Sequence, residues 1–216
     1  MASELLKRSE VKEENTWNVK DMYATQEDWE KELKDISEII ERVAAFEGKA
    51  AENAQNLFTV LENLAKAGEK LDKAYNYAER LFDEDQTNTT HQAMSAKAYS
   101  AYASCGSKTA FVDPEIIAIT ENVLETFYKE VPELELYRKQ IAEIRRMKEH
   151  CLSSEMEKLL AMTAEMSQTP ADTFSILNNA DLVFPEIRDE NGESVRITHG
   201  RYGQFLQSSD RRVRKE

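Results

Sequence analysis

Glycine and proline are scarce in this 216-residue chain, with 6 and 4 respectively, which excludes a many-turned β-fold and favours long helices. Two cysteines, Cys105 and Cys151, lie far apart and form no Cys-x-x-Cys pair, so no disulfide framework is encoded. Each reads as a small buried hydrophobe in a reducing compartment. Charge of positive sign is also in deficit. A formal net charge of −13 and a pI near 4.9 exclude indiscriminate binding to nucleic acid or an anionic membrane. No apolar run approaches the roughly 18–20 residues of a membrane span. The charged start, Met1 to Lys12, has no apolar segment of the secretory kind. What is present, 41% hydrophobic and 32% charged residues, suits a soluble, core-forming chain.

Periodicity supplies the elements. After a polar arm carrying Trp17 and Tyr23 as docking anchors, Thr25 is set to cap a helix with Asp28 three residues on. Trp29, Leu33, Ile36, Ile40 and Val43 then form one helical face, with Gly48 near the helix end. A second helix is expected from Asn53 to Ala67, with Gly68 ending it. A long third segment runs from Glu69 to Lys108, interrupted by the polar stretch Asp83 to Thr90, which is either an exposed turn or a break. Asp113-Pro114 reads as cap and first residue of a helix through Ile116, Ile119, Val123, Leu124 and Phe127. Val131-Pro132 restarts the chain through Leu134, Tyr137, Ile141 and Ile144. Ser153 caps a helix with Met156, Leu159, Leu160 and Met166 inward, and Thr169-Pro170 starts a short one with Phe174, Ile176 and Leu177. Alternation at 183–187 and 194–197 around Asp189-Glu190-Asn191-Gly192 predicts a β-hairpin. A last helix opens near Thr198 with Tyr202, Phe205 and Leu206. The fold class is therefore mainly α, a multi-helix lobe of antiparallel helices with one small hairpin near residues 183–198.

Candidate chemistry is sparse. None of His91, His150 and His199 lies in His-Glu-x-x-His, and the acid that a Glu-x-x-His pair would need before His150 is Met147. His150 reads as a hydrogen-bonding group near a helix C-terminus, and His199 as a loop or cap residue. Asp83, Glu84 and Asp85 resemble part of a calcium loop, but lack its glycine and terminal glutamate, and a solvated turn is the simpler reading. Tyr75, Tyr77, Tyr99, Tyr102, Tyr128 and Tyr137 fall at helical spacing, as core residues or as a groove lining. Residues 196–216 hold six basic residues against Asp210 and Glu216, a solvated face or a surface for an acidic neighbour. Catalytic and metal-binding residues are accordingly expected to be none, and no substrate-binding position is assigned.

An ordered set of segments resembles a known family. Pro114-Glu115-Ile116, Val131-Pro132-Glu133-Leu134 with Tyr137, His150 with Leu152-Ser153, Leu159-Leu160-Ala161, Thr173-Phe174 and Asn178 to Phe184 are similar to the N-terminal domain of oligoendopeptidase F. Flanking segments extend the likeness: Thr16-Trp17-Asn18-Val19, Glu47-Gly48-Lys49, Tyr77-Ala78 with Asp83-Glu84-Asp85, Thr198-His199-Gly200, and Ser208 to Arg214. The resemblance implies the N-terminal portion of a cytoplasmic, thimet-oligopeptidase-like zinc metalloendopeptidase that hydrolyses short peptides by metal-activated water. In that family His-Glu-x-x-His and a downstream glutamate hold the zinc, and no position of this chain matches them. The chain is thus expected to bind no zinc itself, to be inactive alone and to partner the C-terminal catalytic part. It divides as 1–112, arm and helical lobe; 113–184, family N-terminal helical domain; and 185–216, hairpin and first helix of a peptidase domain. Ending within a charged helical pattern reads as truncation, with an apolar patch on the last helix and hairpin and self-association as consequences. A non-catalytic peptide- or protein-binding helical module is the alternative.

Overall fold

Thr25 caps the first long helix. In the computed structural model, which describes residues 10–215, its hydroxyl oxygen accepts the Asp28 N–H at 3.1 Å and starts α1 (Gln26–Ala44). Trp29, Leu33, Ile36, Ile40 and Val43 are all buried along it, joined by Ile39. Of the arm's two anchors, Tyr23 is buried and Trp17 is exposed. The arm's first nine residues lie outside the described residues.

Helix α2 (Ala54–Glu84) corrects the expectation of a stop at Gly68. The helix starts next to Asn53, as expected, with the Asn53 side chain capping it by accepting the Asn56 N–H at 2.9 Å, but it continues for 31 residues, roughly 46 Å. Two cores explain the continuation. Leu57, Val60 and Leu61 enter a cluster with Phe111, Ile116, Leu124, Leu134 and Ile141. Farther along, Ala67, Leu71, Ala74, Tyr77 and Ala78 enter a second with Trp29, Ile36, Met94 and Ala98. A glycine in a helix interior costs about 1 kcal/mol, far less than abandoning a stripe that serves both clusters. The polar stretch proves to be a break: Asp85 closes a turn by accepting Thr87 N–H and O–H, and Asn88 caps α3 (Thr89–Thr109).

The helix expected to be capped by Asp113 and to open at Pro114 begins two residues earlier and breaks midway, giving α4 (Val112–Ala118) and α5 (Glu121–Glu130). Asp113 lies in the first turn and caps nothing. Pro132 opens a 3₁₀ turn (Pro132–Tyr137) that leads into α6 (Arg138–Arg146), burying Leu134 and Ile141. Ser153 caps α7 (Ser154–Met162), its oxygen accepting the Met156 N–H at 3.4 Å. The helix expected to start at Thr169-Pro170 instead begins earlier, as α8 (Ala164–Ile176) with Pro170 inside it.

By contact the chain divides into two units, one of residues 18–171 holding both large cores, the other of residues 172–216 with the segment through Trp17. In the second, β1 (Glu186–Arg188) and β2 (Ser194–Arg196) pair antiparallel, Ile187 opposite Val195 with both buried. The predicted turn stands, with Gly192 at φ 81°, a conformation glycine adopts without strain. Burial pushes the Asp189 carboxyl up, but N–H donors of Glu193 and Asn191 outweigh it and hold it below its usual range. Helices α9 (His199–Leu206), capped by Thr198, and α10 (Arg211–Lys215) follow. The fold is mainly α with one small hairpin. No helix among the described residues is long and apolar enough to cross a membrane.

Candidate functional site

The sequence motifs converge in three places. First, the carboxylate of Glu115 on α4 accepts N–H bonds from Gly48 at 2.6 Å, Ala50 at 2.8 Å and Ala51 at 3.4 Å. Segments 65 residues apart, Glu47-Gly48-Lys49 and Pro114-Glu115-Ile116, are thereby locked together. Gly48 itself stands at φ 75°, a left-handed conformation open to glycine. The following turn brings the Ala50 and Ala51 N–H groups to the same carboxylate, so this is a structural clasp.

Second, a cavity of about 510 Å³ gathers Asp113, Met147, His150, Cys151, Glu157 and Leu160. Glu157 is committed, accepting the Leu152 N–H at 2.8 Å. Desolvation and then the carboxylates of Glu157 and Asp113 push the Cys151 thiol up, the opposite of what a nucleophilic thiolate needs. Burial likewise raises the Cys105 thiol. Neither cysteine is activated.

Third, in the unit from Asp172 onward, His199 Nε2 lies 2.9 Å from Asn178 Oδ1, and the imidazole packs edge-to-face on Phe184 at 5.2 Å. His199 is neither loop nor cap: it is the first residue of α9, and Thr198 before it is the cap. Its pairing with Asn178, 21 residues away, was not legible in local pattern. His91 lies on α3, half-buried, and His150 is exposed beyond α6. The histidines thus sit on three separate elements. A metal needs three or four convergent ligands, and among the described residues no three His, Cys, Asp or Glu side chains are placed to hold one. The described residues do not fit the zinc site that the resemblance implies.

The tyrosines divide between the readings. Tyr77 and Tyr128 are buried. The Tyr137 hydroxyl donates to Glu62 at 2.8 Å, and the Tyr99 hydroxyl to the Ala164 carbonyl at 3.1 Å. Arg138, bonded to Glu125 and Glu135, stacks 3.8 Å over the Tyr128 ring. Within the basic C-terminal stretch, Arg212 and Arg214 are spent on their own chain. Arg212 donates to the Arg188 and Asp189 carbonyls, and Arg214 to the carbonyls of Ser208 and Ser209.

The expected inward face of α7 is corrected. Met156, Leu159, Leu160 and Met166 are exposed, Leu159 at 63% and Met166 at 72%, and so are Met162, Phe174 and Leu177. Exposed large apolar residues are most numerous on α7 and α8, and Val183 at the start of the expected hairpin and Tyr202 and Leu206 on α9 are exposed as well. Periodicity identified an apolar face correctly, but amphipathicity says nothing about what covers it.

Known proteins share this arrangement. The family model described as Oligopeptidase F matches residues 115–184. Oligopeptidase PepF of Bacillus subtilis is 41% identical over 99% of this chain and 32% of its own length. Group B oligopeptidase PepB of Streptococcus agalactiae is 35% identical over 97% of this chain and 35% of its own. The crystal structure of oligoendopeptidase-F from Enterococcus faecium superposes with a TM-score of 0.80 at 36% identity, covering 88% of this chain and 36% of that one. A helical scaffold of this kind, matched along nearly its whole length, resembles the N-terminal portion of these oligopeptidases. The chain is similar to these oligopeptidases over nearly all of its residues, and it spans about a third of the length of the curated relatives it matches.

Proposed function

We propose that this chain is the substrate-access lobe of an oligoendopeptidase F-type zinc metallopeptidase, acting on short peptides in the cytoplasm. Its three parts, 1–112, 113–184 and 185–216, are read as arm and helical lobe, family N-terminal domain, and entry to the peptidase domain. Catalytic and metal-binding residues belong to the C-terminal part, and none is assigned to a position here. One observation carries the reading: helices α7 and α8 present Met156, Leu159, Leu160, Met162 and Met166 uncovered, in a chain whose relatives are about three times as long. A face of that composition is suited to meet more polypeptide.

The lobe's contribution is exclusion. A rigid helical wall beside a reaction centre admits a flexible peptide and bars a folded protein, and it keeps bulk water from the reacting groups. The net charge of −13 adds a field that draws cationic peptides inward at low ionic strength. Complementation in trans tests the reading. This chain and the C-terminal two thirds of the Bacillus subtilis relative are prepared separately and mixed with zinc. Hydrolysis of a quenched fluorescent peptide should emerge on mixing, with the same peptide sequence spared when embedded in a folded domain. A mixture no more active than the catalytic part alone contradicts the lobe reading and favours a separate binding module.

A further inference from the structure

A single π-helical turn ends α8. The Leu182 N–H bonds the Leu177 carbonyl at 2.9 Å, five residues back, so Leu177–Asp181 is wider than an α-turn. Such turns sacrifice helix regularity and concentrate at functional sites, because they re-aim the side chains they carry. Here the turn carries Asn178 and Asn179 and joins a directed polar network. Asn179 Nδ2 donates to Ser175 Oγ at 3.3 Å, and Asn178 Nδ2 donates to Asn179 Oδ1 at 2.9 Å. Asn178 Oδ1 is then left to accept from His199 Nε2 at 2.9 Å. The direction of the network sets the tautomer of the neutral ring: Nε2 carries the proton, and Nδ1 is an acceptor. Phe184 fixes the ring plane through the edge-to-face contact at 5.2 Å and 77°.

The result is an exposed imidazole held from two sides, with its second nitrogen uncommitted. Among the described residues of this unit the packing does not use it, the buried apolar side chains there being Ile187, Val195 and Val213. Tyr202, 56% exposed, stands one helical turn beyond His199 on the same helix. A pre-oriented acceptor with the exposed Tyr202 ring one helical turn along the same helix matches an extended peptide, which offers a backbone N–H and an apolar side chain together.

We propose that Asn178, His199 and Phe184 form a peptide-binding site in which His199 Nδ1 accepts a hydrogen bond from a backbone N–H of an apolar peptide. The choice of a peptide as ligand rests on reading the chain as a peptidase lobe. Asn178 is a positioning residue: it orients the ring and does not touch the ligand.

The test uses the 216-residue chain and two probes, N-acetyl-Leu-Phe-Leu-amide and the same peptide methylated on its backbone nitrogens. Saturable binding of the first should shift the His199 ring-proton signals in nuclear magnetic resonance. Loss of one neutral hydrogen bond should weaken the methylated peptide about five- to tenfold. His199→Phe, which keeps a ring on Phe184 but removes the acceptor, should weaken the parent peptide by the same factor and leave the methylated peptide's affinity unchanged. Asn178→Ala should weaken binding by freeing the ring. Equal affinity for both peptides overturns the proposal without requiring any variant to fold. So does absence of binding, or shifts confined to Met156, Leu159 and Leu160 with His199 silent. Complementation in trans reads assembly, not peptide affinity of this chain, so the lobe reading can survive the failure of this site.

Discussion

Replacing Glu115 with alanine should be among the most damaging single changes to a partly exposed residue in this chain. Its carboxylate holds two short N–H bonds, to Gly48 and Ala50, and a longer one to Ala51. Hydrogen bonds to a charged acceptor contribute about 1.5–3 kcal/mol each. The Gly48 end is exposed, so water replaces that bond and the low end applies there. Ala50 is fully buried, and its N–H is left without an acceptor. Together these give a loss of about 2–3 kcal/mol. At about 2–4 °C per kcal/mol for a chain of this size, the melting temperature should fall by roughly 4–12 °C. Glu115→Gln keeps one oxygen and should lose about half as much. Gly48→Ala separates backbone from sterics, because no atom lies within 4 Å of the added Cβ while φ is +75°. It should cost about 1 kcal/mol through strain alone. Thermal and urea unfolding followed by circular dichroism measures all three. An unchanged midpoint for Glu115→Ala would refute the clasp.

Further outcomes follow from the two cores and the open face. Trp29→Phe empties part of a fully buried site and removes the 2.9 Å bond from Nε1 to the Ala74 carbonyl, costing about 2–3 kcal/mol in urea denaturation. Gly68→Ala should stabilise by about 0.5–1 kcal/mol, since the site is mid-helix with open space at Cβ; a lower midpoint would show that α2 is not continuous there. Desolvation, with Glu32 adding to it, pushes the buried Tyr23 hydroxyl up to about 12. Between pH 10 and 12 the unfolded chain therefore loses a proton that the folded chain keeps, and stability falls as pH rises. Tyr23→Phe should flatten that alkaline slope and, by removing a buried hydroxyl that has no partner, raise stability near pH 7 by about 1 kcal/mol. Sedimentation should show concentration-dependent self-association that Leu159→Glu with Leu160→Glu suppresses; a monomer at all concentrations would mean that the α7 face does not associate.

Local chemistry was legible wherever a side chain acts on its own helix. Thr25 and Ser153 cap the helices that their positions announced, and Asn53 and Thr198, announced only as helix starts, turn out to be the caps there. Gly68 and Pro170 misled for one reason. A breaker carries a bounded local cost, and tertiary packing can exceed it, as the continuous stripe from Leu57 to Ala78 does across two cores. Exposure of Met156 and Leu159 was illegible because a helical pattern encodes a face and not its cover. The Glu115 clasp and the pairing of Asn178 with His199 join residues 65 and 21 positions apart, and no periodic signal spans such distances. Only the ordered resemblance marked those segments, and it did so without saying which atoms meet.

Zinc-dependent turnover by this chain alone bears most directly on the central claim that it shapes access and does no chemistry. The purified protein, titrated with zinc and incubated with a quenched fluorescent peptide, should take up no stoichiometric metal and release no fluorescence above the buffer rate. Stoichiometric zinc uptake accompanied by hydrolysis that a chelator abolishes would contradict the account.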